Sequence, residues 1–441
     1  MFKPELLSPA GSLKAMRLAF AYGADAVYAG QPRYSLRVRN NEFDLKTLAA
    51  GIAEAHALGK KLYVVVNIAP HNSKLTRFVE DMAPVVALQP DALIVSDPGV
   101  IYLLRQHFPA MPLHLSVQAN TVNWAAVQFW QQVGVERVIL SRELALEEIA
   151  EIRQQVPDME LEVFVHGALC MAYSGRCLLS GYINKRDPNQ GACTNACRWP
   201  YQVHAATEDD AGQFKAISTP ALLEEQGRPG ELMAIDEDMH GTYILNSKDL
   251  RAVEHVPLLT RMGVHSLKIE GRTKSPYYVA RTAQVYRKAI DDAVAGSPFD
   301  PALLTELEGM ANRGFTEGFL RRHVPQATQN YDTNHSVGQQ LLVGEFISGQ
   351  DAQGYALVDV KNRFEVGDQL MLMTPHGNRY FTLDSLLSAD GQPLSIAPGA
   401  SYQVRIPVQA EDQLQFAMLL KQLPLQHIAV NVIDATQPCQ P

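Results

Sequence analysis

Cys170, Cys177, Cys193 and Cys197 crowd one short stretch of a chain whose remaining cysteine, Cys439, lies near its C-terminus. The intervals between the four are six, fifteen and three residues. A chain long enough to bury a large apolar core needs no disulfide staples. Four thiols so close together read as a metal or iron–sulfur site, with redox chemistry or structural disulfides as alternatives. Zinc ribbons use two tight pairs, and only Cys193 and Cys197 fit that spacing. A 4Fe–4S cluster needs four thiolates and accepts irregular spacing, so the pattern leans to iron–sulfur and keeps zinc as the alternative.

Other residues with chemical potential surround this cluster. His166 precedes the first cysteine by four positions. It reads either as a hydrogen-bonded structural histidine or as a group that tunes or protonates the site. Lys268, Glu270 and Arg272 form a dense charged triplet. They read either as an ion-paired layer or as catalytic and substrate-binding groups. Arg33, Tyr34, Arg37 and Arg39 interleave cations with an aromatic ring. Such a loop suits a dicarboxylate, through bidentate guanidinium contacts, or RNA, through phosphate contacts and base stacking; otherwise it is a solvated basic surface. Arg142 is a further binding candidate, and Lys185-Arg186 and Arg321-Arg322-His323 are further phosphate candidates. There is no Gly-x-Ser-x-Gly elbow and no His-Glu-x-x-His helix, so hydrolytic chemistry would need another arrangement.

The elements that must position these residues alternate. Strand patterns fall at 5–8, 26–29, 61–66, 92–95, 113–117, 137–140, 161–165 and 266–269, with helical patterns such as 12–22, 45–58, 124–133 and 144–154 between them. Alternation of this kind makes parallel sheet, and eight strands predict an α/β fold, a closed (β/α)8 TIM-like barrel; a doubly wound open sheet is the runner-up. In a barrel the residues just after each strand line the functional face. That face would then hold Asn67, Ser96, Asp97, Gln118, Asn120, Ser141, Arg142, Glu143, His166, Lys268, Glu270 and Arg272, together with the Arg33–Arg39 loop. The cysteines would sit on the seventh strand–helix loop, within an insertion spanning 168–247 whose later part is acidic and reads as a solvated excursion. The predicted organisation is a barrel over 1–325, a linker over 326–336, a small antiparallel β-barrel over 337–410 rich in turn signals, and a tail over 411–441.

Composition sets outer limits. A hydrophobic fraction of 46% and a charged fraction of 19% are those of a globular enzyme. No apolar run is long enough to span a bilayer and the first residues lack a secretory pattern, so the expectation is a cytoplasmic protein. A net charge of −9 argues against a general nucleic-acid coat but leaves room for a local basic patch. Oligomeric state is not legible.

The run from Glu162 to Ser180, with His166-Gly167-Ala168-Leu169-Cys170-Met171-Ala172-Tyr173-Ser174-Gly175-Arg176-Cys177 at its centre, resembles the signature of the collagenase-like peptidase family of unassigned catalytic type. The run from Ser180 to Gly191, the opening Glu5-Leu6-Leu7-Ser8-Pro9-Ala10-Gly11, and Lys268-Ile269-Glu270-Gly271-Arg272 are similar to the branch of that family that hydroxylates tRNA. The resemblance covers most of residues 1–325. It implies formation of 5-hydroxyuridine at the tRNA wobble position, the first step toward 5-carboxymethoxyuridine, with prephenate as the required co-substrate and the anticodon loop as partner. Relatives acting in oxygen-independent ubiquinone hydroxylation hold a 4Fe–4S cluster on cysteines. By that likeness Cys170, Cys177, Cys193 and Cys197 are metal ligands. The family name keeps a peptidase as the alternative, and a non-catalytic tRNA-binding scaffold with a structural metal is a second one.

Overall fold

The computed structural model describes residues 2–31, 33–36, 41–169, 173, 174, 177, 189, 248–312, 314–321 and 340–423, together with the backbone of six short strands between 205 and 242. The chain divides into two compact units, with the main boundary between Val337 and Gly338.

The first unit is the closed barrel that the alternation predicts. Its strands are β1 (Glu5–Pro9), β2 (Ala26–Gly30), β3 (Lys61–Val66), β4 (Ala92–Val95), β5 (Leu113–Leu115), β6 (Arg137–Ile139), β7 (Glu160–Ala168) and β8 (Ser266–Ile269). Each pairs in parallel with the next. The ring closes where β8 pairs with β1, Glu5 opposite Ser266. Strands covered on both faces are buried along their whole length, as β2, β4 and β8 are. The helices between them follow local capping chemistry. Ser12 accepts the Ala15 amide at the start of α1 (Leu13–Ala21), and Asp97 accepts the Val100 amide at the start of α2 (Pro98–His107).

The barrel interior carries a ladder of charges. Arg137, nearly fully buried, donates to Glu5 at 2.5 Å, to Glu160 at 2.8 Å and to Glu162 at 3.2 Å. Lys268 donates to the other oxygen of Glu162 at 2.8 Å. Burial alone would raise the Glu5 carboxyl, but Arg137 wins and holds it below the usual range. A buried charge without a partner is costly, so the ladder must be complete.

Two features differ from the sequence reading. β7 runs on to Ala168, and its upper part pairs antiparallel with a short strand, Asp249–Arg251. The expected insertion therefore leaves and rejoins the barrel beside one strand. Within it the backbone forms antiparallel pairs, Ala205–Glu208 with Phe214–Ile217, Leu222–Glu224 with Leu232–Ala234, and Glu237–Asp238 with Gly241–Thr242. It has structure of its own, one of the two outcomes that its length leads one to expect, partial disorder being the other.

The second unit is antiparallel. Gln340–Phe346, Tyr355–Val360, Gln369–Thr374, Gly377–Thr382, Leu386–Ser388, Pro393–Leu394, Gln403–Pro407 and Met418–Gln422 form one sheet around Val343, Val358, Phe364, Leu370, Val404, Ile406 and Leu419. Met418–Gln422 pairs with both Gln340–Phe346 and Gln369–Thr374. The segment from 411 onward is thus not simply a tail: part of it is a central strand. The expected linker at 326–336 lies outside the described residues.

Candidate functional site

The C-terminal ends of the strands enclose a cavity of about 130 Å3. Its floor and one wall are cationic. Lys268 stands on β8, with its ammonium 4.5 Å from the centre of the Tyr28 ring and 5.3 Å from that of Phe164. Burial lowers its pKa, against the pull of Glu162. Arg272 passes beside the Tyr28 ring, at 5.8 Å, and donates to the Leu36 carbonyl. Gly30 makes room for it, since a Cβ there would collide with the guanidinium. Arg142, following β6, lies 3.9 Å over Phe164 and donates to the Ala168 carbonyl at 2.8 Å. Its Nε meets no partner among the described residues. Glu270 faces Arg142 at 3.7 Å and is the acidic residue of the lining. Three cations against one lining carboxylate suit an anionic ligand.

The opposite wall is neutral and polar. Asn67 follows β3 and Gln118 follows β5. The Asn67 amide donates to Ser116 Oγ at 3.2 Å and to Gln118 Oε1 at 3.0 Å. Asn120, in a left-handed conformation, donates to the Ser174 carbonyl at 3.1 Å. Asn189 donates to the Cys177 carbonyl at 3.3 Å, and its own carbonyl accepts the Ala69 amide at 3.1 Å. These bonds tie the described part of the cysteine segment to the barrel loops. They place Cys177, a thiol in no disulfide, against the cavity that Lys268, Glu270 and Arg272 line. A thiol at the mouth is a suitable soft donor for a metal or cluster. Cys170, Cys193 and Cys197 lie outside the described residues.

The remaining sequence candidates divide. Lys268, Glu270, Arg142 and Arg272 meet at the cavity as expected. His166 does not line it. The strand is irregular where Lys268 and Ile269 pair with β7, and His166 is buried among Tyr278, Tyr286 and Phe315, with ring centres 5.5 to 5.8 Å away. Burial first, then Lys274 and Arg251, push its pKa down to about 3, so it is a neutral ring in the layer behind the mouth.

Arg33 and Tyr34 were expected to face the cysteines, and they turn elsewhere. Both reach Asp81, each at 2.6 Å. Tyr34 is fully buried, set edge-on to Phe78 at 5.2 Å. Its face is not open for a base to stack on, and burial with Asp81 pushes its hydroxyl up to about 12. Arg37 and Arg39 lie outside the described residues.

Tyr28, Phe164, Ser116, Ser174 and Asn189 line the cavity without having been singled out from sequence. Tyr28 and Phe164 lie inside strands, where only the side of the sheet they face would have marked them.

The model of peptidase family U32 matches residues 11–330, and that of the family's C-terminal domain matches 339–421. The chain is 65% identical to tRNA hydroxylation protein P of Escherichia coli, over 96% of this chain and 97% of the relative. It is 60% identical to tRNA hydroxylation protein P of Haemophilus influenzae, with the same coverage of 96% and 97%. It is 34% identical to the 23S rRNA 5-hydroxycytidine C2501 synthase of E. coli, over 65% of this chain and 39% of that one. Matched along both of its units, and alike in length to its tRNA-hydroxylating relatives, the chain belongs to peptidase family U32.

Proposed function

We propose that this protein is a tRNA hydroxylase that forms 5-hydroxyuridine at the wobble position in a prephenate-dependent reaction. The observation that carries the reading is the likeness to tRNA hydroxylation protein P over nearly the whole chain, at 65% identity. The cavity supports it. Arg142, Lys268 and Arg272 offer the cations that a dicarboxylate such as prephenate requires. The neutral amide wall opposite gives a base edge its hydrogen-bond partners. A wobble uridine comes from a single-stranded loop, so it enters such a mouth without a duplex being opened.

A 4Fe–4S cluster held by Cys177 with Cys170, Cys193 and Cys197 supplies electron transfer when bound. The residues of the barrel orient the two reactants. Arg142 and Arg272 hold the anion, while Lys268, fixed by Glu162, sets positive potential at the floor.

A peptidase reading is less well served. A cysteine nucleophile needs a histidine within hydrogen-bond reach. Among the described residues, His166 is the histidine next to the cysteine motif in sequence, and it packs against Tyr278 and Tyr286.

The test is a deletion strain without a parallel pathway. Its tRNA should lack 5-hydroxyuridine by mass spectrometry, and the wild-type gene should restore it. An unchanged level refutes the assignment. Binding of tRNA without consumption of prephenate by purified protein would favour the scaffold reading instead.

A further inference from the structure

Building on the tRNA-hydroxylase reading, we propose that Gln118 reads the target base and selects a 4-oxo pyrimidine over a 4-amino one. Gln118 follows β5 and lies at the boundary of two cavities. One is the cationic cavity described above. The other, of about 270 Å3, lies beside it along Ser96, Asp97 and Trp130. Leu36, Asn67, Gln118 and Asn189 line both. A reaction that joins two small reactants needs adjoining compartments, and an anion held by Arg142 and Arg272 leaves the amide wall for the base.

The orientation of the Gln118 carboxamide is fixed by its neighbours. Its oxygen accepts from Asn67 Nδ2 at 3.0 Å and from the Ser116 hydroxyl. Those two groups are themselves held: Asn67 Oδ1 accepts the Leu36 amide at 3.1 Å, and the Ser116 amide donates to the Val95 carbonyl at 2.6 Å. Rotating the carboxamide by half a turn would set its NH2 against the Asn67 NH2 and forfeit that bond; the Ser116 hydroxyl can donate or accept, so Asn67 is the group that fixes the orientation. The nitrogen end therefore presents donors only, and it meets no acceptor among the described residues.

A donor needs an acceptor on the ligand. The reacting carbon of the base, C5, is bonded to C4, so a wall that orients C5 meets the substituent on C4; the 2-oxo group lies across the ring. Uracil offers an oxygen at C4 and accepts. Cytosine offers an amino group, which would face the Gln118 NH2 donor to donor. The family contains both outcomes by name, since one relative is a 5-hydroxycytidine synthase acting on rRNA.

The experiment uses full-length protein purified without air and two anticodon stem–loop RNAs that differ only in uridine or cytidine at the wobble position. Affinity is read by fluorescence anisotropy and hydroxylated nucleoside by mass spectrometry. Wild type should prefer the uridine loop about tenfold, the effect of one matched hydrogen bond against one mismatched donor pair. Gln118→Glu keeps the oxygen that Asn67 and Ser116 hold and turns the other end into an acceptor, so it should reverse the preference. Ser116→Ala leaves the carboxamide held by Asn67 alone and should weaken the preference, a readout available should Gln118→Glu not fold. Uridine preference undiminished in both variants overturns the role of Gln118 while leaving the hydroxylase reading intact. Wild type that neither distinguishes nor hydroxylates the uridine loop removes both.

Discussion

Lys268 and Glu162 meet at 2.8 Å directly beneath the cavity, and Glu162 shares its other oxygen with Arg137 at 3.2 Å. The floor of the mouth is therefore continuous with the charge ladder that fills the barrel. Glu162→Gln should cost roughly 3–5 kcal/mol of unfolding free energy, because it strands a buried cation. Replacing both partners by apolar residues, Glu162→Leu with Lys268→Met, should recover much of that loss. Urea unfolding of Glu162→Leu, Lys268→Met and the double variant checks this; strict additivity would mean that the pair is not coupled.

The position of His166 behind the mouth has a pH signature. Its folded pKa, about 3, is lower than its ordinary value of 6.5. Between these values the unfolded chain binds a proton that the folded protein refuses, so stability is complete above 6.5 and falls as the pH drops. The slope is about 1.4 kcal/mol per pH unit, or about 2 kcal/mol lost by pH 5. His166→Phe should remove that part of the acid sensitivity, measured by urea unfolding at pH 7 and pH 5. An unaltered difference between the two pH values would remove the assignment.

The arginines should separate by location. Arg142→Ala should weaken prephenate binding by about 1.5–3 kcal/mol, the range for hydrogen bonds to charged groups. Arg33→Ala, whose side chain is paired with Asp81 outside the cavity, should change it by less than about 0.5 kcal/mol. Calorimetric titration distinguishes them, and the opposite ranking would return the metabolite to the Arg33 loop.

Cys177→Ser should lose most bound iron in protein purified without air, since a hydroxyl is a poor substitute for a thiolate. Cys170→Ser, Cys193→Ser and Cys197→Ser should behave alike, and Cys439→Ser should retain iron. Iron content and absorbance near 400 nm report the outcome. Full retention in two of the four would exclude them as a ligand set.

The barrel was legible because its strands and helices repeat a local pattern. Arg142 and Arg272 were legible because they follow strands, and Lys268 because it stands near the end of one. What escaped was settled by distant partners. Arg33 and Tyr34 follow β2 as the rule requires, yet Asp81 draws both away from the mouth. β7 changes neighbours along its length, from β8 to Asp249–Arg251, and no local signal marks that change. Met418–Gln422 begins with a run of buried residues at the centre of its sheet, without the alternation that would betray a strand. His166 ends a strand pattern as a mouth residue would, but an irregular register turns it toward the helices.

Ala168 and Asp249 are cross-strand partners, so the chain departs from the barrel and comes back to it at a single point. Between them, Ser174 and Asn189 touch the barrel again through Asn120 and Ala69. The ends of this insertion are held together by the pairing of β7 with Asp249–Arg251, and the entropy of closing it rises only slowly with its length. A short turn joined from Ala168 to Asp249 would leave every pairing of the eight barrel strands in place. The ring of eight strands can then carry inserts of different length over its mouth without a change in its own pairing.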